Sequence, residues 1–308
     1  MSETQYGNSQ DNFDDIIDLR EIFNHLWQQK WIIASITSVI TIVGLLYSLF
    51  LPNIYQSTAI LSQVDPGNSM VRSLRNLPGL SLAGITSSSA SDESNSVNAF
   101  KKLGTLSFFE NNILPNIFLP DLMALDSWSS RTNTLNYDDS LYDTQTQKWV
   151  RKFSNPSQQI PTAQESFREF KNEHFAISED KKTGIITLSI KHKSPYVAQK
   201  WTELMISEIN AFYREKDKSE SEKAVNYLNY QIALTNFSEV KEAISRLLQE
   251  ETKKLALVEA KEFYVFEYID PPAVMEKKSE PQRAIICMLS ALLGGMLSIA
   301  YVLIRKFF

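Results

Sequence analysis

Between Trp31 and Leu51 the chain runs through 21 residues without a charge, WIIASITSVITIVGLLYSLFL, and between Ala284 and Ile304 it does so again in AIICMLSALLGGMLSIAYVLI. At about 1.5 Å per residue, such a helix covers roughly the 30 Å hydrocarbon core of a bilayer. Both segments are predicted to be transmembrane helices. Two buried core helices explain them less well, because core helices seldom run so far without a polar face. A cleaved signal peptide also fits poorly. Thirty residues precede the first span, its apolar stretch exceeds an h-region, and SLFLPNIY offers no small-residue cleavage site.

Two spans put residues 1–30 and 305–308 on one side and residues 52–283 on the other. Arg20 and Lys30 precede the first span and no Lys or Arg lies between Pro52 and Val71, but Lys277, Lys278 and Arg283 precede the second. The first span usually sets orientation, and long loops translocate regardless of charge. The expected arrangement is an inner-membrane protein with cytoplasmic termini and a periplasmic domain. Before the first span, Leu19, Ile22, Phe23 and Leu26 recur at helical spacing among polar residues, so residues 14–27 read as a short amphipathic helix. Trp27 and Trp31 then fall at headgroup level as membrane-interface anchors. A plain linker is the other reading of that segment.

The 308 residues carry a net charge of −5, of which residues 52–283, with 27 basic and 30 acidic groups, contribute −3. A nearly neutral domain has no basic footprint for nucleic acid. Cys287 is the single cysteine, which excludes an intrachain disulfide and a cysteine zinc site.

Within the large domain, NIYQSTAILSQV reads as a strand ended by the Asp65-Pro66-Gly67-Asn68 turn, and residues 67–98 read as a Gly/Ser/Asn-rich loop interrupted by LPGLSLAGI. Residues 99–175 are expected to hold helical pieces broken by Pro115, Pro120, Pro156 and Pro161, with Trp128, Tyr137, Tyr142 and Trp149 as core aromatics. Lys182-Thr183-Gly184 turns into a strand whose Ile186, Leu188 and Ile190 share one face. Ser194 and Pro195 then open a helix as cap and first residue, with Trp201, Met205, Ile209 and Phe212 at helical spacing. Two long helices are expected, about 195–235 and 238–262. A closing strand, FYVFEYI, lies just before the second span. The predicted fold class is α+β, with transmembrane helices flanking an α/β base that carries long extended helices. A 30-residue head and a four-residue tail are too short for a separate output domain.

No motif for chemistry stands out. No Gly precedes a Lys, so there is no P-loop, and HExxH is absent. His174 and His192 lack a matched ligand pattern and read as surface residues, and His25 has no second ligand nearby. Gly79-Leu80-Ser81-Leu82-Ala83 lacks the last glycine of a nucleophile elbow. The carboxylates of the long helices alternate with Lys and Arg as on a solvated face. We therefore assign no catalytic, cofactor or metal residues. In the second span, Ser290, Gly294 and Ser298, with Ala291 and Gly295, set small residues on neighbouring ridges, as helix packing in an oligomer requires. The ordinary abundance of Gly and Ser in transmembrane helices explains them equally well.

DLREIFNHLWQQKWIIASIT and LPNIYQSTAIL resemble the amino-terminal part of the chain-length determinant (Wzz-type) family of polysaccharide co-polymerases. YVFEYIDPPAVMEKKSEPQRAIICMLSALLGG resembles that family's proline-rich segment and second span, with Pro271, Pro272 and Pro281 at the recurring positions and Met275 where another proline is common. LPGLSLAGI, SPYVAQKW and NYLNYQIALTNFSEVKEAISRLLQEETKKLALVEAKEF also look like family segments. The resemblance implies a non-catalytic homo-oligomer in the inner membrane, working with a Wzy-type polymerase on undecaprenyl-linked polysaccharide to set the modal length of lipopolysaccharide O-antigen. The lack of a kinase domain before Phe308 points to that branch. The alternative is an envelope adaptor for capsule or exopolysaccharide, partnered with a separate tyrosine kinase.

Overall fold

The computed structural model describes residues 26–64, 95–260 and 263–307. Most of the expected amphipathic segment, and residues 67–94 of the expected loop, lie outside the described residues. In chain order the elements are α1 (Lys30–Phe50), β1 (Tyr55–Gln63), α2 (Asn95–Leu103), α3 (Leu106–Phe108), α4 (Leu119–Met123), β2 (Leu125–Ser129) and β3 (Thr134–Tyr137). Then come β4 (Tyr142–Asp143), β5 (Lys148–Trp149), α5 (Ala163–Glu169), β6 (Phe175–Glu179), β7 (Ile186–His192), α6 (Pro195–Leu234), α7 (Ser238–Ala260), β8 (Phe266–Asp270) and α8 (Arg283–Phe307). The chain divides into two compact units, Met1–Leu51 with Pro281–Phe308, and Pro52–Glu280.

In the larger unit an antiparallel sheet runs in the order β6-β7-β1-β8. Its centre follows from period-two alternation. Ser57, Ala59 and Leu61 of β1 are buried, and so are Ile186, Leu188 and Ile190 of β7. Ala59 lies opposite Leu188 and Leu61 opposite Ile186. The amino-terminal part of α6 covers this face with Trp201, Met205, Ile206 and Ile209. Ser194 occupies the cap position, yet its side chain makes no capping bond. Pro195 at the first position supplies the helical φ and removes one N–H that would lack a partner there. Gly184, at φ +70°, closes the turn into β7, and its N–H donates to Asp180 O at 2.7 Å.

β8 meets β1 with a register shift between Ile60 and Leu61. Pro271 and Pro272 end β8, since neither has an N–H to donate to a ladder. The chain returns to the start of the sheet: Ile54 N–H donates to Glu280 O at 3.0 Å and Ser279 N–H to Ile54 O at 2.8 Å. Lys191 Nζ adds an ion pair with Glu280 at 2.5 Å. Entry and exit of the unit are thus tied together by backbone bonds.

Two expectations need correction. Asn95–Asn98 belong to α2 rather than to the loop, and Ser96 and Ala99 of that helix are buried. Residues 125–149 form two small hairpins, β2–β3 and β4–β5, in place of the expected helical pieces. Their turns hold Asn133 at φ +52° and Gln147 at φ +53°. Of the four expected core aromatics only Tyr142 is buried, with Tyr137 and Trp149 half-buried around it and Trp128 half-buried elsewhere. Tyr142 is buried against Trp149 and Tyr137, with ring centroids 5.3 and 6.0 Å apart, while Trp128 packs edge-on to Tyr55 at 5.4 Å.

Candidate functional site: a polar anchor, an exposed hairpin and a helix pair

The long helix α6 changes character along its length. From Pro195 to Ser221 it repeatedly buries residues, whereas none from Glu222 to Leu234 is buried. At the junction sits a polar anchor. Asn210 Oδ1 accepts from the backbone N–H of Tyr264, Val265 and Phe266 at 3.1, 2.8 and 3.0 Å, and Asn210 Nδ2 donates to Phe266 O at 3.0 Å. Two turns on, Asp217 Oδ2 accepts from Tyr264 OH at 2.5 Å and from Asn95 Nδ2 at 2.8 Å. Burial first, and then the bond to Asp217, push the Tyr264 hydroxyl above the usual phenol range. This network fixes the lead into β8 and the start of α2 onto one helix.

Beyond the anchor, α6 and α7 form a hairpin joined through residues 235–237. Lys218 Nζ pairs with Glu259 at 2.6 Å across the two helices. Val258 is the buried residue of α7, while Ile244, Leu248 and Leu255 are half-buried. Tyr227, Tyr230, Leu234, Phe237 and Leu247 are exposed, Phe237 to 74%. A helical tip that leaves this much aromatic and aliphatic surface uncovered has the character of an interaction surface.

In the other unit the small residues of α8 have a concrete use. Gly294 and Ser298 are buried against α1. A Cβ added at Gly294 would lie 3.2 Å from Thr37 Cα and one at Gly44 would lie 2.6 Å from Ser290 Cβ, so these glycines permit close approach of the two helices. Ser298 Oγ lies 3.4 Å from Thr37 Oγ1. The Ser290–Gly294–Ser298 ridge therefore packs within the chain. Ala291 is half-buried, and a Cβ added at Gly295 would meet nothing within 4 Å, which leaves that second ridge open.

Residues 15–103 match the family described as chain length determinant protein, Wzz, and residues 230–307 match the family described as G-rich domain on putative tyrosine kinase, GNVR. The resemblance to Wzz-type chain length determinants thus rests on residues 15–103, less than a third of the chain. No curated protein matches it. Among solved structures, a full-length bacterial polysaccharide co-polymerase is similar at 15% identity and TM-score 0.39, covering 95% of this chain and 97% of its own. A fragment of WzzB, a polysaccharide co-polymerase from Salmonella Typhimurium, is similar at 11% identity and TM-score 0.37, covering 74% of this chain and all of its own.

The helices α1 and α8 have the length and apolarity of two membrane spans. Trp27 and Trp31 are 65% and 78% exposed at the start of α1. Pro272 is buried, Pro271 is exposed and Pro281 is half-buried. Ser57 Oγ donates to Ala273 O at 3.0 Å, holding the chain just after the proline pair.

His174 and His192 are not the surface residues that the sequence suggests. His192 is 1% exposed and His174 is half-buried, and both rings pack on Trp201 with centroids 4.9 and 5.6 Å away. His192 Nδ1 accepts from Ser194 N–H at 3.0 Å, which leaves Nε2–H to donate to Asp121 O at 3.2 Å. Burial, and next the neighbouring His174, push the His192 imidazole down to about 4. Burial likewise lowers His174. Neutral rings wedged against an indole serve packing. Among the described residues no group of three or more His, Cys, Asp or Glu is placed to hold a metal. The Asn210–Asp217–Tyr264 anchor escapes sequence reasoning. Its one visible trace is that two polar residues fall on the stripe of α6 that also carries Ile206, Ile209 and Tyr213.

Proposed function

We propose that this protein is a non-catalytic scaffold that regulates the modal chain length of lipopolysaccharide O-antigen, acting beside a Wzy-type polymerase on undecaprenyl-linked polysaccharide. The observation that carries this reading is the match of residues 15–103 to chain length determinant proteins. In this reading both termini are cytoplasmic, the sheet-based unit is periplasmic, and several copies associate. The exposed side chains of the α6–α7 hairpin supply contacts to other copies or to growing polysaccharide. Pro271, Pro272 and Pro281 stiffen the path back toward the second span. Trp27 and Trp31 anchor the first span at the interface.

One observation favours a second reading. The match of residues 230–307 to a domain named for tyrosine kinases fits an adaptor for capsule or exopolysaccharide that works with a separate kinase. Lipopolysaccharide gels from the parent strain, a deletion and the complemented deletion separate the two. Loss of a modal cluster that returns on complementation is the expected outcome. An unchanged ladder, with loss of capsule or secreted polysaccharide, would replace O-antigen by the adaptor reading.

A further inference from the structure

Along the membrane-facing side of the helix pair runs a groove of about 630 Å³, lined from Trp27 and Lys30 through Thr37 and Thr41 to Ile42, with Ile299 from α8. Its walls are apolar in effect. The Thr41 hydroxyl donates to Thr37 O at 2.8 Å, and the Thr37 hydroxyl lies 3.4 Å from Ser298 Oγ, so both are occupied within the helix pair. A groove with both threonine hydroxyls engaged, and only the exposed Ser38 adding a third hydroxyl among otherwise largely apolar walls, offers little to a polar partner helix and suits hydrocarbon. From Lys30 to Ile42 the helix rises about 18 Å, slightly more than half of a ~30 Å hydrocarbon core. Its length therefore matches the acyl tail of one leaflet.

The open end of the groove is charged. Lys30 Nζ sits 5.3 Å from the centroid of the Trp27 ring. Arg305 lines a smaller recess of about 130 Å³ with Gln29 and Tyr301. No Asp or Glu occurs in residues 26–51 or 281–307, so no carboxylate of the described helix pair neutralises these cations. A basic site at the interface end of a span, flanked by aromatic rings, is complementary to an anionic headgroup.

We propose that this groove binds an anionic phospholipid, with its phosphate at Lys30 and one acyl tail lying along Thr37 and Thr41 toward Ile42. The bound lipid fills a surface defect of the helix pair and fixes the depth of α1 in the leaflet that holds Trp27. The inference requires that α1 span the bilayer and is independent of which polysaccharide is regulated.

The test uses the full chain in phosphatidylcholine vesicles containing phosphatidylglycerol whose tail carries a photoreactive diazirine. After illumination, mass spectrometry locates the labelled peptides. Labelling is expected to concentrate on Ala34–Ile42 over the exposed Leu289–Leu297 face of α8. Lys30→Gln should lower it about fivefold, the ratio given by ~1 kcal/mol per basic residue at an anionic surface. The same substitution should leave labelling by a phosphatidylcholine probe unchanged, and Ala34→Phe, which occupies the groove, should lower labelling by both probes. Equal labelling of both faces, or a Lys30→Gln protein labelled like the parent, would show annular lipid only and overturn the proposal. If Ala34→Phe fails to elute as a folded particle, the Lys30→Gln comparison between the two probes decides alone.

Discussion

Asn210 places one carboxamide where three consecutive backbone N–H groups and a carbonyl need partners. Each of those groups is shielded from water, so the cost of removing the side chain is set by desolvated donors rather than by lost contact area. Asn210→Ala is expected to destabilise the protein by about 3 kcal/mol, with Asn210→Asp closer to the parent because it keeps an acceptor for the N–H groups. Denaturant midpoints of the detergent-solubilised full chain, followed by tryptophan fluorescence, measure this. Equal midpoints for Asn210→Ala and the parent would show that the anchor contributes nothing. At His192 the expectation concerns pH. The folded ring titrates near 4 against an ordinary value of 6.5, so the unfolded chain binds the proton first. The contribution of neutral His192 is thus complete above pH 6.5 and is lost as pH falls toward 4, by about 3 kcal/mol in all. Against His192→Gln, which does not titrate, the stability advantage of the parent should shrink across that window. A difference that stays constant with pH would refute the assignment.

At the scale of elements, burial and exposure separate structure from use. The tip of the α6–α7 hairpin has exposed aromatics with no buried contact to lose, so Tyr227→Ser, Tyr230→Ser and Phe237→Ser together should change unfolding stability by less than about 1 kcal/mol. The same triple variant should shift or broaden the modal cluster on a lipopolysaccharide gel if the hairpin meets another copy or the polysaccharide. A parental ladder from a stably expressed triple variant would remove the hairpin from the mechanism. The elements best read from sequence are those with a local signature. The spans lack charge, β7 alternates Ile186, Leu188 and Ile190, and α6 repeats Trp201, Met205 and Ile209 at helical spacing. Elements that depend on distant partners were not legible. The hairpin β4–β5 pairs only Tyr142 with Trp149 and Asp143 with Lys148, and a two-residue strand has no periodicity to detect. Its turn holds Gln147 at positive φ, where glycine or asparagine would have signalled a turn. Asn210 and Tyr264 lie 54 residues apart, so nothing in either segment announces the other. His192 misled for the same reason, since its burial depends on Trp201 and the backbone of Asp121.

For the whole molecule, the backbone bonds between Ile54 and Ser279–Glu280 hold the entry and exit of the larger unit side by side, and the helix pair closes through Gly44, Gly294 and Ser298. With those small residues engaged inside one chain, the association proposed above needs other surfaces. Among the described residues two are open, the Ala291–Gly295 ridge of α8 and the aromatic tip of the hairpin. The purified chain in nanodiscs is expected to add to the mass of the empty disc an integral multiple, greater than one, of 35.2 kDa. Gly295→Leu and the triple hairpin variant then locate the contact, because whichever lowers the mass without lowering the denaturation midpoint marks the surface between copies. Gly44→Leu provides the contrast, since its side chain would collide with Ser290 and loosen the helix pair itself, lowering stability before assembly. Mass photometry of the four proteins reads all three outcomes. A single-copy particle that still restores the modal cluster in the deletion strain would refute association as the basis of length control, and would place that control in one chain beside its polymerase.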